Sequence, residues 1–241
     1  MVPLTRSNAL KLAIMQPYFL PYIGYFQLIA AADAFVMYDH IKYTKKGWIN
    51  RNRMLVNGRD VMFSLPLKKA SDALDVVERE LAADFDPQTL LKQWRGAYAK
   101  APHFAQIYPL LEQIMGFREP NLFRFIHHSV LSICTYLGIT TPIHISSSIA
   151  IDHTLRGQDK VLALCDAMGA TTYINGMGGL ALYEKAVFAA RGVDLTFLGP
   201  KPLEYPQFGD SFVPWLSILD LLMFNPREVV AGWVHQHYEL L

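Results

Sequence analysis

The sequence contains little cysteine, almost no net charge and no apolar run long enough to cross a membrane. Its two cysteines, Cys134 and Cys165, stand without a CxxC pair or a histidine at ligand spacing, which argues against a disulfide framework and against a metal site. We expect both thiols to be buried and reduced. The apolar stretches stop short of the roughly 20 residues of a membrane helix, and the N-terminal segment lacks a signal-peptide core and cleavage site. These absences predict a cytoplasmic protein with no membrane span.

The net charge of +1 conceals an uneven distribution. Eight basic residues and one acid lie between Lys42 and Lys69, and such a segment should face something anionic. The near-neutral total and the lack of a recognised binding motif argue against nucleic acid as the partner. A small phosphorylated ligand, such as a nucleotide sugar, is the partner we expect.

Apolar residues are abundant, at 52% of the 241 residues, which is enough for one large α/β core or two small ones. The first part of the chain predicts a strand at 11–16, a helix at 22–32 and a strand at 34–39. The connection between the two strands is long enough for a right-handed crossover, so we expect them to be parallel neighbours.

The rest of the chain predicts a helical insertion and then a return to alternating elements. Strands are predicted at 60–67 and 76–81, and helices at 86–101, 102–115 and 121–138. Further strands are predicted at 142–148, 171–175 and 193–199, helices at 157–169 and 180–192, and two C-terminal helices broken at Asn225-Pro226. This order predicts a mostly parallel, doubly wound α/β sheet of the Rossmann-like class with a helical insertion and C-terminal helices. No repeat or low-complexity linker interrupts it, so we expect a single domain.

Three motifs fall at the ends of predicted strands, where ligands bind in open parallel sheets. In the first, Gln16 to Gly24, Gln16 and the first amides of the helix could hold a phosphate or carboxylate, or the prolines could simply shape the helix entry. The third, "NGMGG" at 175–179, offers backbone amides without obstruction. Its candidate ligand-binding residues are Asn175, Gly178 and Gly179, although such glycines also serve only to turn a strand into a helix.

The second motif, residues 39–53, carries the strongest chemical signal. Asp39 and His40 end a strand and are candidates for a general acid or base. The other ligand-binding candidates are Lys42, Arg51 and Arg53, whose side chains could hold phosphates. Asn50 is a further candidate, and Tyr43 and Trp48 add flat rings suited to a base or a sugar. The alternative is a solvated basic loop.

Asp220 is a third catalytic candidate, because a carboxylate in the apolar segment "WLSILDLLMF" must find a partner or shift its pKa. A purely structural hydrogen bond is the alternative. The histidine pairs His127/His128 and His235/His237 are more typical of core or surface positions than of a metal site.

The chain resembles the WbqC-like protein family in the segments "QPYFLPYIGYFQLI", "ADAFVMYDHIKYTKKGWINRNR", "YINGMGGLALYEKAVF" and "LSILDLLMF". The resemblance covers nearly everything from Lys11 onward, which leaves residues 1–10 as a variable tail and 11–241 as one WbqC-like domain. It implies a bacterial protein associated with loci for O-antigen and other surface polysaccharides. The positions that match the family's motifs are Gln16, Pro17, Asp39, Lys42, Asn50, Arg51, Gly178, Gly179 and Asp220. His40 is a departure, since another acid or a neutral residue is more usual after the aspartate.

These observations lead to three functional hypotheses. The first is a transferase that moves an acyl or aminoacyl group onto a nucleotide-linked amino sugar, although no residue pattern specifies the acyl donor or a cofactor. The second is a nucleotidyltransferase or adenylating enzyme, for which Pro21-Tyr22-Ile23-Gly24 stands where the HIGH-type enzymes carry their histidines. The third is a non-catalytic protein that binds an anionic polymer or biosynthetic enzymes.

Overall fold

A computed structural model describes residues 9–209 and 211–241. The first eight positions of the expected variable tail therefore lie outside the described residues. The strands are β1 (Leu10–Met15), β2 (Ala34–Met37), β3 (Arg51–Val56), β4 (Arg59–Ser64), β5 (Ile143–Ile145), β6 (Ala170–Gly176), β7 (Asp194–Pro200) and β8 (Tyr238–Leu240). The helices are α1 (Ile23–Ala31), α2 (Pro87–Tyr98), α3 (Phe104–Met115), α4 (Leu122–Leu137), α5 (Gly157–Met168), α6 (Lys185–Ala189), α7 (Ile218–Phe224) and α8 (Arg227–Gln236).

Six of the strands form one sheet in the order β5-β2-β1-β6-β7-β8. All neighbours are parallel except β7 and β8. The predicted β1-α1-β2 crossover is confirmed, with Leu12 opposite Ala34 and Met15 opposite Met37. From β1 the chain moves outward to β2 and β5, then returns to add β6 and β7 on the other side. The strand order therefore reverses between β1 and β6, which is where α/β sheets open a ligand crevice.

Two apolar cores cover the two faces of the sheet. Successive strand residues point to opposite faces, so Ala13 packs with α1 and the helical insertion, whereas Leu12 and Ile14 pack with α5 and α6. This arrangement confirms a doubly wound, Rossmann-like α/β fold.

The helical insertion is confirmed as α2, α3 and α4. Asp86 caps α2 by accepting a hydrogen bond from the Gln88 amide, and Gly138 ends α4 in the left-handed conformation. The two C-terminal helices are broken at Asn225-Pro226 as expected: α7 ends just before this pair and α8 begins just after it.

Four local features differ from the sequence-based expectation. The prediction of a strand at 76–81 is wrong, because Val76–Glu78 forms a 3₁₀ turn. The Glu78 carboxylate accepts a hydrogen bond from the Asp75 amide at its start. Residues 51–56 form β3 instead of a loop; they pair with β4 across Asn57-Gly58, both of which have positive φ, as a type I′ hairpin turn requires. The helix expected at 180–192 is reduced to α6, and the antiparallel β8 was not predicted.

Cys134 and Cys165 are buried and free, as expected. Burial raises the pKa of each thiol to about 12, so both remain protonated and unreactive near neutral pH. Within residues 9–209 and 211–241, no helix is long and apolar enough to cross a membrane.

Candidate functional site

A cavity of about 770 Å³ opens at the carboxyl ends of β1, β2 and β6, on the point where the strand order reverses. Its size lies within the usual range of small-ligand sites. The residues that line it come from the ends of the three strands and the loops that follow them, from Asp75, and from the segment 153–160 that leads into α5. They are Ile14, Met15, Gln16, Tyr18, Tyr22, Tyr38, His40, Ile41, Lys42, Asp75, His153, Thr154, Leu155, Arg156, Gly157, Lys160, Asn175, Gly176, Met177, Gly178, Gly179, Leu182 and Tyr183.

The loop after β1 forms one wall of the cavity and is held by polar side chains from distant segments. The carbonyl of Leu20, a residue with φ of 43°, accepts hydrogen bonds from Asn52 Nδ2 at 2.9 Å and from Ser217 Oγ at 2.6 Å. Tyr25 donates a hydrogen bond to the carbonyl of Gln16 at 2.9 Å. Because both donors to Leu20 are buried, this wall is preformed.

The end of β2 brings His40 and Lys42 onto the cavity wall beside Asp75. His40 Nδ1 lies 3.5 Å from Asp75 Oδ2, and Lys42 Nζ lies 3.2 Å from Asp75 Oδ1. Asp75 therefore orients a histidine and a lysine together. Asp75 was not predicted, because it reaches the site through an isolated bridge between Lys42 and Asp75 that has no sequence signature.

Asp39 lies behind this wall and is 2% exposed. Its Oδ1 accepts hydrogen bonds from Ser146 Oγ at 2.6 Å and from the Ser147 amide at 3.0 Å. Burial alone would raise the pKa of this carboxyl, but these hydrogen bonds outweigh burial and hold the pKa below its ordinary value. Asp39 fixes the end of β2 against the residues that follow β5, and it is not among the residues lining the cavity.

Lys160 is a cation that the sequence analysis missed. It lies in the first turns of α5, is 8% exposed, and donates a hydrogen bond from Nζ to the His40 carbonyl at 3.1 Å. Its ammonium is also 5.5 Å from the centre of the Tyr38 ring. No carboxylate in the described part of the chain lies within 4.0 Å of it. A buried ammonium without a carboxylate is rare.

The start of α5 adds further positive potential at the same place. Its N-cap residue, Arg156, makes no side-chain capping hydrogen bond, and Gly157 adopts φ of 52°. The exposed amides of a helix N-terminus favour an anion. No sequence pattern marks Lys160 or Arg156; the available signal was their place at the start of the helix that follows β5.

The glycine turn after β6 forms the facing wall. Asn175 Oδ1 accepts a hydrogen bond from the Gly176 amide at 2.8 Å. A Cβ at Gly179 would collide with the Asn175 carboxamide, whereas a Cβ at Gly178 would meet nothing within 4 Å. Gly179 is therefore required for the shape of the turn, and Gly178 leaves its backbone open towards the cavity.

The structure thus brings Gln16, His40, Lys42, Asn175, Gly178 and Gly179 together around one cavity. The other sequence-predicted candidates lie outside its lining. Gly24 is the second residue of α1, where a Cβ would collide with the Tyr22 ring. The lack of a side chain at Gly24 therefore leaves room for Tyr22, which does line the cavity.

The remaining members of the 39–53 motif make structural contacts around the β3–β4 hairpin. Tyr43 donates a hydrogen bond to Asn50 Oδ1 at 2.9 Å, and Arg51 Nε donates to the Gly47 carbonyl at 2.9 Å. Arg53 lies 3.2 Å from Asp60 and 5.4 Å from the centre of the Trp48 ring.

Asp220 is completely buried in α7 and also lies away from the cavity lining. It accepts hydrogen bonds from Tyr98 at 2.8 Å, Tyr205 at 2.7 Å and Gln207 at 2.6 Å. Burial raises the pKa of its carboxyl, and the three hydrogen bonds only partly oppose that shift. Tyr98 in turn accepts a hydrogen bond from the Leu55 amide at 2.8 Å, so the network joins α2, α7 and β3.

His153 is the second imidazole on the cavity wall and was not predicted. Its ring centre lies 6.1 Å from that of His40, and its Nε2 is 3.0 Å from the Ile149 carbonyl. The described residues contain no cluster of three or more histidine, cysteine, aspartate or glutamate side chains placed to hold a metal ion.

Comparison with known proteins identifies the family. The model of the WbqC-like protein family matches residues 16–231. The chain belongs to the WbqC-like protein family. It is also 30% identical over 220 residues to the uncharacterized protein Rv1507c of Mycobacterium tuberculosis, a match that covers 89% of this chain and 93% of that protein. No solved structure matches the chain.

Proposed function

We propose that this WbqC-like protein is a transferase of bacterial surface polysaccharide biosynthesis. It transfers an acyl or aminoacyl group to the amine of a nucleotide-linked amino sugar. The observation that carries the proposal is the buried, carboxylate-free ammonium of Lys160 in a cavity at the reversal of strand order. The polysaccharide setting is the one that the family resemblance implies.

The charges around the cavity support an anionic ligand. Lys42, Arg156 and Lys160 line it, and Asp75, the only carboxylate among the described residues of the lining, is already paired with Lys42 and His40. A phosphate that binds Lys160 would supply the missing negative charge and form strong charge-assisted hydrogen bonds. The start of α5 would act on the same phosphate through its amides.

The proposed chemistry uses His40 as the general base. The sugar amine attacks the carbonyl carbon of the acyl donor, so that a C–N bond forms and the bond from carbon to the donor's leaving group breaks. His40 accepts the proton that the amine loses, and the leaving group departs with the bonding electrons and is then protonated. Asp75, 3.5 Å from His40 Nδ1, orients the ring and balances the charge of the imidazolium.

The experiment has a binding step and a turnover step. Calorimetric titration with pyrophosphate and with nucleoside diphosphates measures whether the cavity accepts a phosphorylated ligand. Mass spectrometry of nucleotide-linked amino sugars incubated with the protein and with panels of acyl thioesters and acyl adenylates then detects acylation. We expect binding of both phosphate probes and a mass gain on the amino sugar. Absence of binding by every phosphate probe would overturn the proposal.

Two other results would assign a different function. Release of pyrophosphate from ATP without acylation of a sugar would indicate the adenylating alternative. Salt-dependent binding of an anionic polymer without binding of small phosphates would indicate a non-catalytic protein.

A further inference from the structure

Trp215, just before α7, has an unusual backbone conformation. Its φ is 61°, in the left-handed region that glycine adopts freely and that a bulky residue adopts only under strain. Neighbouring hydrogen bonds hold it there: Arg53 Nη2 donates to the Trp215 carbonyl at 3.0 Å, and the Ser217 amide donates to the Arg53 carbonyl at 3.0 Å. Strain of this kind persists only where the surroundings fix it, and it concentrates at functional sites.

The indole of Trp215 is also unusually open to solvent. It is 63% exposed, compared with 38% for Trp48. A tryptophan is a poor choice for a strained, exposed position if the position serves only the fold, because glycine would remove the strain and expose less apolar surface. The combination indicates that the ring itself is used.

Trp215 is connected directly to the cavity. Its ring packs edge-on against Tyr22, with centres 5.8 Å apart, and Tyr22 lines the cavity. Arg53 lies between the two tryptophans, bonded to the Trp215 carbonyl and 5.4 Å from the centre of the Trp48 ring. Tyr22, Trp215, Arg53 and Trp48 are therefore linked by successive contacts that begin at the cavity lining.

We infer that Trp215 stacks on the nucleobase of a nucleoside diphosphate whose phosphates lie in the cavity. This inference rests on the proposed function and adds to it the residue that recognises the base. A flat indole face suits a base because every base offers a π face, and such stacking tolerates different bases. Arg53 supplies a planar cation beside it.

The test separates base binding from phosphate binding. The probes are pyrophosphate, which has no base, and uridine, adenosine, guanosine and thymidine diphosphates. In the wild-type protein we expect at least one nucleoside diphosphate to bind more tightly than pyrophosphate. Trp215→Ala should weaken the binding of that nucleotide roughly five- to hundredfold. Its affinity for pyrophosphate should stay unchanged within about twofold.

A second variant distinguishes this role from a structural one. Trp215→Gly removes the strain and should keep or raise the thermal midpoint while it loses nucleotide affinity like Trp215→Ala. Leu131→Ala, at a surface leucine of α4 that is 39% exposed, serves as the control and should change neither affinity.

Three results would overturn this inference alone. One is unchanged nucleotide affinity in Trp215→Ala, and another is a fall in thermal midpoint in Trp215→Gly with binding intact. The third is a wild-type protein that binds pyrophosphate as tightly as every nucleoside diphosphate; it would leave the phosphate site of the proposed function standing. Failure of pyrophosphate and nucleotides alike to bind would overturn both proposals.

Discussion

The ammonium of Lys160 lies 3.1 Å from the carbonyl oxygen of His40. The contact joins the first turns of α5 to the end of β2 and places the cation at the reversal of strand order. A carbonyl oxygen is a dipole and compensates a buried charge only in part, so the site without an anion retains an electrostatic penalty. A phosphate that binds there relieves this penalty, and the relief adds to the free energy of binding.

Replacement of Lys160 by methionine should therefore affect binding and stability in opposite directions. We expect Lys160→Met to weaken pyrophosphate binding about 10- to 100-fold, since a hydrogen bond to a charged group contributes about 1.5–3 kcal/mol. The thermal midpoint without ligand should stay level or rise, because a buried charge is replaced by an apolar chain of similar length. Titration calorimetry and thermal unfolding check both parts. Lys92→Met, on the exposed side of α2, is the matched control, and equal affinities in the two variants would remove Lys160 from the site.

His40 is expected to act on turnover more than on binding. Once an acyl donor and an amino sugar are identified, His40→Gln should lower kcat about 10²- to 10⁴-fold, which is the usual contribution of a general base, while KM changes little. Steady-state kinetics measures the two constants separately. His235→Gln, at an exposed histidine of α8, should behave as wild type. A His40 variant with full kcat would leave the ring as part of the wall only.

Much of the fold was predictable because its signals are local. The apolar runs of β1, β2, β6 and β7 and the Asp86 cap of α2 each determine their own element. β3 was not predicted although Asn57-Gly58 is a local signal for a hairpin turn. The charged residues at 51–53 are more typical of a solvated loop. By contrast, β8 forms only because the C-terminal residues pair with β7, and nothing local marks such a pairing.

The site was harder to predict because it is assembled from distant segments. Gln16 and Asn175 lie at the ends of predicted strands and were expected at the carboxyl edge of the sheet for that reason. The basic run could not be divided by sequence alone into Lys42, which reaches the cavity, and Arg51, whose guanidinium turns back to Gly47. Asp75 and Lys160 lie 35 and 120 residues after His40 in the chain, and only tertiary contacts bring them to it.

Asp39 and Asp220 should contribute to stability with opposite dependence on pH. The pKa of Asp39 is held below its ordinary value of 3.8, so its ionised form stabilises the fold above that value, and the contribution is lost as pH falls through the lowered pKa. The pKa of Asp220 is raised above 3.8. Its contribution is therefore greatest below the ordinary value and declines as pH rises through the raised pKa.

Denaturant unfolding of Asp39→Asn and Asp220→Asn between pH 3 and pH 7 tests this pair. Asp39→Asn should lower the free energy of unfolding by about 1.5–3 kcal/mol near neutral pH, and the difference should shrink towards pH 3. The difference between wild type and Asp220→Asn should instead shrink as pH rises. Parallel pH profiles for the two variants would contradict the assigned directions.

The glycine turn offers a comparison of two adjacent positions that both line the cavity. Gly179→Ala adds a methyl group against the Asn175 carboxamide and 3.2 Å from a ring carbon of Tyr183, so the turn must shift, at about 1–3 kcal/mol of stability. Gly178→Ala meets nothing within 4 Å and should change stability by no more than about 0.5 kcal/mol. Thermal unfolding measures the difference, and pyrophosphate titration should show weaker binding in Gly179→Ala, because the moved turn alters the cavity wall. Equal stability of the two variants would mean that Asn175 can rotate away, and the turn would then hold its shape without it.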